Sequence, residues 1–137
     1  RMVDITGYSV NETPYYGAIW EKRTGPAYAA RSAMSAQRYQ QTISQLKSQG
    51  FAPVCISVFR NRRQNVYSGI WQQGATADWY ACHDLTLKDY QETVLRLKAK
   101  GFRPFDVCSY SVGADYEPEY RGVWSSRSTT ELTPADF

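Results

Sequence analysis

Gly50-Phe51-Ala52-Pro53 returns as Gly101-Phe102-Arg103-Pro104, 51 residues later. Tyr39 returns as Tyr90 and Leu46 as Leu97 by the same shift. Tyr16-Gly17-Ala18-Ile19-Trp20 returns after 51 residues as Tyr67-Ser68-Gly69-Ile70-Trp71, and after a further 53 as Tyr120-Arg121-Gly122-Val123-Trp124. A fixed period of this size marks one supersecondary unit copied in tandem. It also means that a residue which merely recurs is first a candidate for scaffold.

Each copy opens on alternating apolar residues: Val3 and Ile5, then Val54, Ile56 and Val58, then Phe105 and Val107. That period of two predicts a half-buried strand. A polar loop follows, at Asn11 to Pro14, Asn61 to Asn65 and Gly113 to Pro118. The next strand carries Tyr-x-small-x-Trp, which puts Tyr and Trp on one face with a small residue between them. Ile19, Ile70 and Val123 occupy the other face, so this strand is expected to be covered on both sides. A third short strand is predicted around Ala27-Tyr28-Ala29 and Asp78-Trp79-Tyr80.

A helix then follows. Ser35 and Thr86 are N-cap residues, and Asp89 stands as capping-box partner to Thr86. Tyr39, Ile43 and Leu46, like Tyr90, Val94 and Leu97, make one apolar stripe per helix. Gly50 and Gly101 end the helices at the left-handed position, and Phe51 and Phe102 follow as the hydrophobic residue of a Schellman motif. Pro53 and Pro104 extend the chain into the next strand. The expected fold is α+β: one tandem-repeat domain over residues 1–137, built of β-β-(β)-α repeats of about 51 residues, with antiparallel strands and one helix each. The repeats run over about 1–51, 52–102 and 103–137, the last shortened by about six residues after Trp124. Leu132 to Phe137 matches a helix start with Pro134 at its first position. Both ends read as cuts through a longer array.

Composition bounds the function. The chain has 137 residues, 42% hydrophobic and 21% charged, which is globular rather than disordered. Aromatics reach 15%, which calls for dense packing or a stacking surface. A net charge of +3 does not by itself imply nucleic acid. No apolar run approaches a membrane span, and no charged-then-apolar leader opens the chain. Cys55, Cys82 and Cys108 leave one disulfide or three buried thiols equally open. No CxxC pair is present, and the lone His83 cannot complete a familiar zinc site, so no metal or cofactor is expected.

In order and spacing, Gly50-Phe51-Ala52-Pro53, Tyr67-Ser68-Gly69-Ile70-Trp71 and Leu85-Thr86-Leu87-Lys88-Asp89-Tyr90 resemble the structural repeat of polyglycine hydrolase-like proteins, also described as a bacterial tandem repeat domain. The resemblance covers nearly the whole chain. It implies a secreted, extracellular protein of fungi or bacteria. In fungal members such repeats precede a β-lactamase-like serine hydrolase domain that cuts glycine-rich linkers of plant chitinases. The implied role of this chain is non-catalytic: recognising or positioning a protein substrate, possibly glycine-rich.

Apparent catalytic motifs lose weight on inspection. Ser44-Gln45-Leu46-Lys47 matches SxxK, Ser9-Val10-Asn11 matches SxN and Arg23-Thr24-Gly25 is near KTG, but their chain order is wrong for a β-lactamase-like site. Leu95 stands where Ser44 would recur. Cys82 and His83 are adjacent, so on an extended chain they point to opposite sides; His83 is expected to be structural. No catalytic residue is assigned, and any enzymatic activity belongs to a domain outside this chain.

Trp20, Trp71 and Trp124, with Gly50 and Gly101, are assigned to the scaffold because they recur in register. The places where copies differ are the binding candidates. Tyr28, Trp79 and Tyr80 are expected to be exposed aromatics, which also leaves a chitin-type polysaccharide as an alternative ligand. Arg60, Arg62 and Arg63 cluster in one loop and would meet an acidic partner or a phosphate. The equivalent loops hold Glu12 or Asp115, Glu117 and Glu119, so no continuous basic stripe runs along the array and nucleic acid is not expected. Asn11-Glu12-Thr13 is a glycosylation sequon with Pro14 after it, which disfavours modification.

Overall fold

Helix and strand follow one another with almost no chain between them at Gly50 and Gly101. In the computed structural model, α1 (Ala36–Ser48) runs through Gln49 and Gly50 straight into β4 (Phe51–Asn61). Likewise α2 (Leu87–Ala99) leads into β7 (Arg103–Val112). The remaining strands are β1 (Met2–Val10), β2 (Thr13–Trp20), β3 (Tyr28–Met34), β5 (Gln64–Gln73), β6 (Trp79–Leu85) and β8 (Glu117–Ser125). The structure describes residues 1–74, 78–112 and 117–126. The expected helix start at Leu132 to Phe137 and most of the loop from Gly113 to Pro118 lie outside the described residues.

Both helices are capped as their sequences dictate. The Ser35 hydroxyl accepts from the Arg38 amide at 3.2 Å, and the Thr86 hydroxyl from the Asp89 amide at 3.1 Å. Gly50 and Gly101 take φ of +79° and +85°, a region that charges side-chain-bearing residues a steric penalty. At the second helix end the Phe102 amide bonds the Leu97 carbonyl at 2.9 Å, the long bond of a Schellman motif.

The strands form three antiparallel sheets: β1-β2, β3-β5-β4 and β6-β8-β7. The chain divides into two compact units, Arg1–Ala75 and Thr76–Phe137. In each three-stranded sheet the outer strand and the helix come from one sequence copy, and the hairpin comes from the next. The closed unit in space, β-α-β-β, is therefore offset from the sequence copy. The cause is local: the helix reaches its following hairpin through a Gly-Phe corner, whereas a longer connection, Glu21 to Ala27, separates β2 from β3.

This pairing puts β5 and β8 at the centre of their sheets and buries both of their faces. Tyr67 and Trp71 are 0% exposed on one face of β5, and Ile70 is 2% exposed on the other. Tyr39 of α1 lies flat on Tyr67, with centroids 4.5 Å apart and planes 8° apart, and tilts against Trp71 at 6.5 Å. The second unit repeats the arrangement with Tyr90 on Tyr120 at 5.1 Å and Tyr90 against Trp124 at 6.2 Å. Each such aromatic pair adds about 0.5–1.5 kcal/mol beyond simple burial.

The small residue between Tyr and Trp now has a physical reason. A Cβ on Gly69 would stand 2.6 Å from Trp71 Cη2 and 2.7 Å from Ile56 Cδ1. A Cβ on Gly122 would stand 2.7 Å from Trp124 Cζ3. Each indole lies back over its own strand, in the space that glycine leaves.

In the first unit the β1-β2 hairpin also packs on the β4-β5 hairpin. The Gly7 amide donates to Ser57 Oγ at 3.1 Å, Ser9 Oγ donates to Asn61 Oδ1 at 2.7 Å, and the Cys55 thiol reaches Asp4 Oδ1 at 3.1 Å. Tyr16 meets Phe59 edge-on at 5.9 Å. No helix among the described residues is long and apolar enough to cross a membrane.

Candidate functional site

The polar loops between paired strands are tighter than the sequence suggests. Asn61 pairs with Gln64, so only Arg62 and Arg63 turn the second hairpin, at φ of +46° and +63°. Val10 pairs with Thr13, so Asn11 and Glu12 turn the first, at +49° and +61°. Positive φ at both central residues is the requirement of a type I′ turn, which favours Asn-Gly. An Arg-Arg pair there is strained, and both residues are exposed. Arg62 Nε lies 4.0 Å from Glu12 Oε2, but both side chains are over two-thirds exposed, so that pair adds little. Arg60 is separate from the tip: its Nη1 bonds Asn65 Oδ1 at 3.1 Å across the hairpin, and the side chain is part-buried. The arginine cluster therefore splits into one tied residue and two outward ones.

Of the aromatic candidates, Tyr28 and Tyr80 are each 40% exposed. The Arg1 guanidinium sits over Tyr28 at 5.1 Å, and that of Arg96 over Tyr80 at 5.8 Å. Trp79 departs from the expectation: it is only 5% exposed. The start of β6 turns its indole inward and presents the next residue, Tyr80, to solvent, as a period of two requires. Trp79, Trp71 and Trp124 are all buried, so these three offer no face on which a sugar can stack; Trp20, assigned to the scaffold by its recurrence, is instead 63% exposed and its neighbour Ile19 57%, because β2 is an edge strand without the cover that β5 and β8 have.

Titratable groups converge in the second unit at one point. Asp84 sits in a strand irregularity between Cys82 and Leu85, at φ +56°. Its Oδ1 accepts the Tyr110 hydroxyl at 2.5 Å, and its amide donates to that same oxygen of Tyr110 at 2.8 Å. Its Oδ2 lies 2.9 Å from His83 Nδ1. Fifty-one residues earlier the same irregularity holds Ser32 and Ala33, with φ +54° at Ala33, and Phe59 takes the place of Tyr110. The polar cluster thus stands at positions that hold Ala33 and Phe59 in the first unit, and its hydrogen bonds tie the strand irregularity to β7.

The cysteines carry thiols; no disulfide joins Cys55, Cys82 and Cys108. Burial pushes the Cys82 thiol up, with the Arg96 guanidinium opposing in part. Burial also pushes Cys108 up; Arg121 opposes this, and Asp106 adds to it. Both thiols are held protonated at neutral pH, the reverse of nucleophile activation. Arg121 is itself buried and pairs with Asp106 at 3.0 Å. Ser44 lies mid-helix in α1, exposed, and donates to the Gln40 carbonyl at 3.1 Å. Arg23 pairs with Glu21 at 3.0 Å. A groove of about 230 Å³ runs between Arg31 and the polar side of α1 at Arg38 and Gln45, below the ~300 Å³ of ordinary ligand pockets.

The family model described as "Polyglycine hydrolase-like, structural repeat" matches residues 1–23, 25–74 and 76–127. The chain belongs to this family. The matched segments divide where the sheets divide: 25–74 contains β3 to β5, 76–127 contains β6 to β8, and 1–23 contains the β1-β2 hairpin. The matched ranges 25–74 and 76–127 each span one β-α-β-β set, and both are offset from copies counted from residue 1. Within this polyglycine hydrolase-like repeat Tyr67, Trp71 and Trp124 are core, whereas Tyr16 and Trp20 of the first hairpin are 39% and 63% exposed. The features that distinguish one copy from another are the turn residues, the Ala33/Asp84 irregularity and the exposed Tyr28 and Tyr80.

Proposed function

We propose that this chain is a non-catalytic repeat domain of a secreted polyglycine hydrolase-like protein and that it recognises or positions a protein substrate rich in glycine. The observation that supports this reading is the Arg62-Arg63 turn. Two arginines stand at an exposed hairpin tip in a backbone region that glycine and asparagine occupy at lower cost. Strain kept at a solvent-facing position points to use rather than to stability. A glycine-rich segment presents a dense row of backbone carbonyls, and each guanidinium offers five N–H donors to such acceptors. Tyr28 and Tyr80 add flat surfaces, each already stacked by an arginine.

The test is calorimetric titration of the whole chain with a glycine-rich peptide. Saturable binding is expected, weakened about tenfold by R62Q/R63Q, as loss of about 1.4 kcal/mol would produce. A flat titration at high peptide concentration overturns the reading.

A further inference from the structure

Charge is divided unevenly between the two units. From Lys22 to Ala77 the chain holds eight Lys and Arg residues and no Asp or Glu, although the whole chain carries 13 acidic residues. Helix α1 has no acidic residue, whereas α2 has Asp89 and Glu92. The contrast is sharpest at the groove of about 230 Å³ between β3 and α1. Arg31 lines it from the strand, Arg38, Gln41, Thr42 and Gln45 line it from the helix, and the buried Leu46 gives it an apolar floor. The four polar helix residues are spaced three, four and seven positions from Arg38, so they share one face. Fifty-one residues later the places of Arg31, Arg38, Gln41, Thr42 and Gln45 are held by Cys82, Asp89, Glu92, Thr93 and Arg96. The one cation there is already engaged, with the Arg96 guanidinium over Tyr80 at 5.8 Å.

We propose that this groove binds an Asp or Glu side chain of an acidic peptide segment. The site shares no residue with the Arg62-Arg63 tip and stands whether or not a glycine-rich chain binds there. Arg31 Nη1 donates to the Ala30 carbonyl at 2.8 Å, which fixes the guanidinium and leaves its other N–H groups to donate. The Arg38 side chain has no hydrogen-bond or ion-pair partner among the described residues; only its amide is used, by the Ser35 cap. The three carboxylates of the same unit are engaged elsewhere: Asp4 accepts the Cys55 thiol, Glu12 lies against Arg62 and Glu21 pairs with Arg23. Two guanidinium forks match the paired oxygens of a carboxylate. The Gln41 and Gln45 amides and the Thr42 hydroxyl add neutral donors, and Leu46 meets the methylenes of the incoming side chain. The groove is smaller than an ordinary ligand pocket, which suits one side chain. None of its described lining residues is aromatic, so it offers a sugar ring no stacking face.

Fluorescence anisotropy of a labelled Glu-Ser peptide, free of glycine, tests this against the whole chain in about 0.15 M salt. Saturable binding is expected, and none for the same peptide with Gln in place of Glu. R31Q/R38Q is expected to weaken binding about tenfold, as loss of charge-assisted hydrogen bonds would produce. Q41E keeps both arginines and brings in the residue type of Glu92, and it should weaken binding as well. K88Q/K98Q removes the same charge from exposed positions of α2 and should leave the affinity unchanged. A flat titration, equal binding of the Gln peptide, or an equal loss from K88Q/K98Q overturns the proposal. So does displacement of the labelled peptide by a uronate polymer at a lower carboxylate concentration than by unlabelled peptide, since the ligand would then be an anionic polysaccharide.

Discussion

Adding one methyl group at Gly69 should unseat the core of the first unit. The new Cβ would meet Trp71 Cη2 at 2.6 Å, Ile56 Cδ1 at 2.7 Å and Trp71 Cζ3 at 2.9 Å. The Ile56 terminus can rotate away. The indole is rigid, 0% exposed and pressed by Tyr39, so it has no free direction. Overpacking of this kind costs about 1–3 kcal/mol, and full expulsion of the ring would approach the ~3–5 kcal/mol of a tryptophan truncation. Restricting the unfolded chain returns only about 0.4–1 kcal/mol. We therefore expect G69A to lose about 1–3 kcal/mol in urea unfolding, with a red-shifted tryptophan emission. G50A is the matched comparison: its Cβ meets nothing within 4 Å, but φ is +79°. It should lose about 1 kcal/mol with unchanged emission. Combining G69A with W71L should recover part of the loss, because the clash and its partner are removed together. A G69A protein as stable as the parent would refute the fold-back account of the indole.

Three further outcomes follow from the geometry. R62N/R63G should stabilise the chain by about 1 kcal/mol, read as a raised Tm, because it installs the turn residues that positive φ favours; an unchanged or lower Tm contradicts the strain. D84A and Y110F should each lose about 1–3 kcal/mol by removing one side of the Tyr110–Asp84 hydrogen bond, while the double variant, which reproduces Ala33 and Phe59, should lose less than the sum; strict additivity in urea unfolding would contradict the coupling. Because burial raises Cys82 and Cys108, the folded thiols release protons at higher pH than the unfolded ones. Stability should therefore fall as pH rises from about 8 to 10, and C82A/C108A should flatten that slope.

The elements that rest on local chemistry were legible in the sequence. Ser35, Thr86, Gly50 and Gly101 act within one helical turn, and their roles follow from residue type alone. The recurrence that marked Trp71 and Trp124 as core held for those two, and Gly69 and Gly122 explain why a small residue must precede them, but it failed for Trp20, which is 63% exposed on an edge strand. What the sequence concealed is non-local. A period of two states that a strand has faces, not which strand lies beside it, so the exchange of β3 onto the next hairpin was invisible. Tyr28 and Trp79 hold one repeat position, yet one is 40% and the other 5% exposed. The turn at Arg62-Arg63 lacks the Asn-Gly signal, so a loop was expected where two residues suffice. The Asp84-Tyr110 contact spans 26 residues and depends on a positive φ. Its trace was the paired change from Ala33 and Phe59, which becomes readable only when copies are compared two positions at a time.

The central claim is that each closed sheet joins the strand and helix of one copy to the hairpin of the next. The most direct measurement is a nuclear Overhauser spectrum of the whole chain, read at Ala30. Cross-strand contacts from Ala30 to Ile70, with Ala29 to Trp71, are the predicted result. Contacts from Ala30 to Ile19 instead, within its own copy, would contradict it.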